Sequence, residues 1–82
     1  MATVTVKLFG VLSDFDGPRH FEVEAETVRE ALSRTTDMGV DADKLRGALI
    51  YVNSQPITGA RRLSRRLCDG DELALLSPAG GG

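Results

Sequence analysis

The residues with the most chemical consequence stand at the end of the 82-residue sequence, where Pro78-Ala79 leads into Gly80-Gly81-Gly82. Glycine is costly to order and adds nothing to a core, so a tail of it has no structural use inside a small domain. Its value lies in thinness. Without Cβ atoms, Gly81 and Gly82 can thread a narrow channel in a partner and let a nucleophile reach the last carbonyl. Read as a free terminus, Gly82 presents an α-carboxylate with a pKa of about 3.3–3.7, ionised and unreactive at neutral pH. Chemistry there requires activation, and an acyl-adenylate made from ATP by another protein is the direct route. The alternative is an inert, frayed end, since termini are commonly disordered.

The remaining inventory excludes most enzyme classes. A single cysteine, Cys68, makes no internal disulfide and holds no zinc or iron–sulfur cluster alone. It is expected to be buried as a small apolar residue. The single histidine, His20, falls on the polar side of a strand pattern and is expected to be exposed. Asp41 and Asp43 read as helix-start residues rather than metal ligands. No catalytic group, metal or bound cofactor is therefore expected. Arg61-Arg62-Leu63-Ser64-Arg65-Arg66 puts four arginines in six residues, without interleaved aromatics, in a chain of net charge −2. With Asp69, Asp71 and Glu72 close by, this reads as a solvated or partner-steering loop, not a nucleic-acid site. Arg62 and Arg65 are the candidates for docking an acidic partner.

Composition sets the frame for these residues. Apolar residues make up 41% and charged residues 27% of the chain, which is ordinary globular usage. The length suits one domain with a small core. The longest apolar runs, 48–52 and 73–76, fall far short of the ~18–20 residues of a membrane helix. No signal-peptide pattern follows Met1, so the cytoplasm is the expected compartment.

Hydrophobic periodicity supplies the elements. Val4, Val6 and Leu8 alternate with polar positions as a strand that Gly10 breaks. The turn formers of 14–18 precede a second half-buried strand carrying Phe21 and Val23, which predicts an antiparallel hairpin. Thr27-Val28-Arg29-Glu30 fits a capping box, and Val28, Ala31, Leu32 and Thr35 share one helical face. The spacing predicts a helix over 28–37, ended by Gly39 in a left-handed cap. A short helical turn follows, with Leu45 inward. Residues 48–52 read as a strand, Asn53-Ser54-Gln55-Pro56 as a turn, and 57–68 as irregular. Asp69-Gly70-Asp71 turns into a last strand over 72–77. This order gives an α+β class with one main helix on one face of a mixed sheet of four to five strands. The β-grasp arrangement satisfies it, with the first and last strands adjacent in the centre. Residues 1–77 would form the domain and 78–82 a flexible tail.

In Val6-Lys7-Leu8-Phe9, the Thr-led helix, Tyr51-Val52-Asn53, and the whole of Asp69 to Gly82, the sequence resembles the ubiquitin-like sulfur carriers. Within them it looks most like the small subunit of molybdopterin synthase. Members carry a D-G-D-E turn, an apolar strand, a Pro-containing exit and a terminal Gly-Gly at this spacing. Two departures are visible: Ser77-Pro78 where Pro-Pro is frequent, and Gly80 where a small side chain is usual. The resemblance implies that an E1-like enzyme adenylates Gly82 with ATP and that a sulfur donor system converts the adenylate to a thiocarboxylate. The carrier then delivers sulfur to an acceptor enzyme, such as the molybdopterin synthase large subunit, and is itself no catalyst. Gly80, Gly81 and Gly82 would enter the partner's channel. Molybdenum-cofactor synthesis is the first expectation. Thiamine, cysteine, tRNA thiolation and a secondary metabolite are alternatives within the class.

Docking of such a carrier calls for an apolar patch on the sheet face away from the helix. With Val4, Val6, Leu8, Ile50, Val52, Leu73 and Leu75 inward, alternation turns Phe9, Leu49, Tyr51 and Leu76 outward. Phe9, Tyr51 and Leu76 are the expected cluster, unless Phe9 or Leu76 folds under a loop as satellite core. Two functions of other classes use the same residues differently. In a ubiquitin-like modifier, Gly82 would be joined to lysines of target proteins. In a plain interaction module, the tail would be inert.

Overall fold

Strand alternation at the start of the chain is realised in the computed structural model, which describes residues 2–10, 12 and 14–77. In β1 (Thr3–Gly10), Val4, Val6 and Leu8 are buried and Phe9 is exposed. β2 (His20–Glu24) pairs antiparallel to it, setting Val23 against Val4 and Phe21 against Val6 on the inner face. The last strand, β5 (Glu72–Ser77), lies parallel to β1, with Leu73 beside Val6 and Leu75 beside Leu8. β3 (Leu49–Val52) runs antiparallel to β5, and β4 (Gln55–Ile57) closes the far edge. The order β2-β1-β5-β3-β4 puts the first and last strands side by side in the middle, as the sequence predicts. A parallel neighbour needs a crossover, and the helical middle of the chain supplies it.

The main helix, α1 (Val28–Asp37), has the predicted bounds. The Glu30 backbone N–H donates to Thr27 Oγ1 at 3.2 Å. The reciprocal arm differs from an ideal capping box: Glu30 Oε1 accepts from the N–H of Glu26, at 2.7 Å, one residue before the cap. Val28, Ala31 and Thr35 are buried, while Leu32 is half-exposed. Burying Thr35 leaves no polar atom unpaired, since its hydroxyl donates to the Ala31 carbonyl at 2.9 Å. Gly39, at φ +114°, follows the helix end and donates to Thr36 O. In α2 (Ala42–Arg46), Asp41 caps by accepting from the Asp43 N–H at 2.8 Å, and Leu45 is buried.

Three expectations are corrected. Cys68 is exposed, not buried: Leu67 takes the inward position, and Cys68 enters the turn, where its N–H donates to Asp71 Oδ2 at 2.7 Å. The predicted turn 53–56 is only its first half. Asn53 and Ser54, at φ 52° and 70°, make a two-residue hairpin bend of the primed kind, and Gln55-Pro56-Ile57 pairs back on β3. Pro56 is tolerated because β4 is an edge strand. Residues 57–68 are also less irregular than predicted, holding one 3-10 turn, Arg62–Ser64. The predicted tail, 78–82, lies outside the described residues.

Candidate functional site

Cross-strand register lays out the outer sheet face in rows. Nearest the exit of β5, Phe9, Leu76 and Leu49 stand side by side on β1, β5 and β3. Phe9 is 46% and Leu49 47% exposed, flanking a half-buried Leu76, so the row is an apolar surface rather than satellite core. The next row is Lys7, Ala74, Tyr51 and Pro56. Below it, Glu72 answers Lys7 with an ion pair of 3.1 Å. Phe9, Tyr51 and Leu76 thus share a face as predicted, with one adjustment. Leu49, not Tyr51, is the direct partner of Leu76, and Tyr51 sits opposite the small Ala74. The alternation already turned Leu49 outward. What only the register could add was its place in the row.

The end of β5 is held tightly. Gly10 pairs with Ser77 at φ +65°, and a Cβ there would meet the Ser77 carbonyl oxygen at 2.5 Å and Leu76 Cδ1 at 3.1 Å. A glycine is required for both reasons. At the opposite end of β5, the Asp69-Gly70-Asp71-Glu72 turn ties three elements together. Asp69 Oδ1 accepts from Thr3 N at 2.7 Å, and Asn53 Nδ2 donates to Asp71 Oδ1 at 3.0 Å. Asn53 Oδ1 accepts from Glu72 N at 2.9 Å. The Cys68 N–H foremost, then the Asn53 amide, hold the Asp71 carboxyl below the usual carboxylate range against an opposing effect of burial, with the Arg65 charge adding least. The turn is a structural clip that aims β5, and its acids are engaged in hydrogen bonds rather than poised for catalysis.

Arg62 and Arg65 have different immediate neighbours. Arg62 lies at the start of the 3-10 turn with its guanidinium donating to Gly59 O at 3.1 Å, whereas Arg65 lies near Asp71. His20 is exposed beside Lys7 at the β2 edge. Among the described residues, no group of three or more His, Cys, Asp or Glu side chains could hold a metal ion, and no helix is long and apolar enough to cross a membrane. The arrangement is a braced sheet that presents an apolar row beside the end of β5.

The family model described as the ThiS family matches residues 6–82. No curated protein matches in sequence. Among solved structures, small archaeal modifier protein 1 from Methanosarcina acetivorans is similar at 28% identity, over 100% of this chain and 98% of that one, with a TM-score of 0.81. Subunit 1 of the molybdopterin-converting factor from Helicobacter pylori, solved in complex with subunit 2, is similar at 26% identity. It covers 98% and 99% of the two chains at a TM-score of 0.71. Urm1 from Trypanosoma brucei shares the fold, at 20% identity and a TM-score of 0.71 over 98% and 95% of the chains.

Proposed function

This chain belongs to the ThiS family of ubiquitin-like sulfur carriers, and we propose that it carries sulfur as a thiocarboxylate on Gly82. The observation that carries the proposal is the match continuing to Gly82, behind a strand whose exit is flanked by the exposed Phe9–Leu76–Leu49 row. The row gives a partner something to grip, while the glycines are slim enough to reach its active site.

The chemistry runs in balanced steps. An E1-like partner lets the Gly82 carboxylate attack the α-phosphorus of ATP, releasing pyrophosphate. Sulfide from a donor then displaces AMP and leaves a thiocarboxylate. On the acceptor enzyme, sulfur passes to the substrate and the carboxylate is restored by water. The protein is co-substrate rather than catalyst, and ATP is consumed by its partner, in the cytoplasm. Likeness to a molybdopterin-converting factor subunit that is complexed with subunit 2 favours the molybdopterin synthase large subunit as acceptor, with Phe9, Leu76, Leu49 and Tyr51 in the contact.

A second reading is favoured by the likeness to a small archaeal modifier protein: attack on the same adenylate leads to an amide with a lysine of a target protein. Incubation with an E1-like enzyme and ATP tests the step that both readings share. Pyrophosphate release is expected with the full chain and not with a chain ending at Gly80. Equal release from the two would overturn the proposal.

A further inference from the structure

On the helix side of the sheet lies a groove of about 310 Å3 between α1, α2 and the 3-10 turn. Its apolar surface comes from Leu32, Leu45 and Leu63, of which Leu32 and Leu63 are only partly buried. Arg29, Arg46 and Arg62 line it, and no acidic residue does. In a chain of net charge −2 this lining is positive, although Asp43 pairs with Arg46 and Glu26 and Glu30 border Arg29 on its other side. Two of the three charges are uncommitted to any acid: among the described residues, neither Arg29 nor Arg62 is in an ion pair. Arg62 spends one N–H on the Gly59 carbonyl, which orients the guanidinium without neutralising it. Arg46 holds Asp43 at 3.1 Å, in a pair so exposed that a competing carboxylate can replace it at little cost.

From this we infer a second docking surface, built for an acidic peptide segment of a protein partner that carries one apolar anchor between carboxylates. The anchor would seat on Leu32 and Leu63, and the flanking carboxylates would meet Arg29, Arg46 and Arg62. The charge arrangement selects the sign of the partner. The lining carries no aromatic side chain on which a base could stack, which favours a peptide over a single-stranded nucleic acid. Arg46 and Arg62 stand at the sheet edge, where they also line a neighbouring depression with Leu49 and Tyr51, whereas Arg29, Leu32 and Leu63 belong to the helix side alone. A partner seated on these three leaves Phe9 and Leu76 uncovered. The inference stands on the groove alone and not on the sulfur-carrier reading.

A two-dimensional NMR titration of the full chain with a short synthetic peptide of glutamates around a central leucine tests it. Saturable shifts are expected at Leu32, Ser33 and Leu63, with the outer-face signals of Phe9 and Leu76 unmoved. Replacing the leucine of the peptide by serine should abolish saturation. Arg29→Glu and Arg62→Glu should each weaken binding about fivefold. Unchanged Phe9 and Leu76 signals report that each variant is folded. Should Arg62→Glu disturb its turn, Arg29→Glu on the exposed helix surface carries the test. The inference is overturned if no saturable shift occurs, if shifts fall on the outer face, if a lysine-for-glutamate peptide binds as well, or if oligouridylate binds more tightly at the same residues.

Discussion

Phe9 and Leu76 face the same side of the sheet as direct partners across the parallel β1–β5 ladder, one residue short of the Gly10–Ser77 pair where the sheet ends. The side chains that offer an apolar contact and the backbone at Ser77 are therefore fixed by the same two central strands. A partner gripping the first is brought into register with the second.

Replacing Phe9 or Leu49 with aspartate should weaken binding to an E1-like or acceptor partner by about tenfold or more, because both are exposed at the centre of the proposed contact. Stability should shift by no more than about 0.5 kcal/mol, as for surface substitutions that remove no core contact. Calorimetric titration and urea unfolding of the same variants separate the two effects. A loss of binding that tracked a loss of stability would assign these residues to packing instead.

Gly10→Ala should destabilise the domain by about 2 kcal/mol or more, combining left-handed backbone strain with a clash against the Ser77 carbonyl. Gly47→Ala is the control. Its φ of −97° is open to alanine and nothing lies within 4 Å of the added Cβ, so it should be neutral or gain up to about 1 kcal/mol. Denaturant midpoints measure both, and NMR shifts of Leu76 and Ser77 in a folded Gly10→Ala protein would report displacement at the tail's root.

Acid should loosen the clip around Asp71. Its folded carboxyl titrates below the unfolded value of about 3.9, so its stabilising contribution is complete above that pH and is lost as pH falls through the folded pKa. Asp71→Asn should lower stability at neutral pH, by about 1 kcal/mol, and flatten the acid limb of a plot of unfolding midpoint against pH. An acid limb identical to that of the parent would place the titration elsewhere.

The β-grasp layout was legible because its central strands obey strict alternation: Val4, Val6 and Leu8, and Leu73 and Leu75, can only face one way once a core exists. The main helix was legible from Thr27 and Glu30, whose cap is local chemistry. Other features depend on distant parts of the chain. β4 is three residues long and contains Pro56, so nothing local separates it from a loop. Leu12 and Val40 complete the core from loop positions outside any period. Cys68 was misjudged because its apolar character predicts burial, whereas the Asp71 clip holds its backbone in an exposed turn. The arginine run reads in sequence as a solvated or partner-steering loop, with nothing local to say what each arginine meets. The fold sets Arg62 in the groove with Arg29 and Arg46, and Arg65 near Asp71.

The exposed Cys68 makes the central claim sharp, since a thiol is the obvious rival seat for sulfur. Intact-mass measurement of Cys68→Ser protein, isolated from its native host without reductant, decides between them. The account predicts a species heavier by about 16 Da, the exchange of one oxygen for sulfur, abolished by removing Gly81-Gly82. Loss of the added mass in Cys68→Ser, or its persistence without the two glycines, would contradict it.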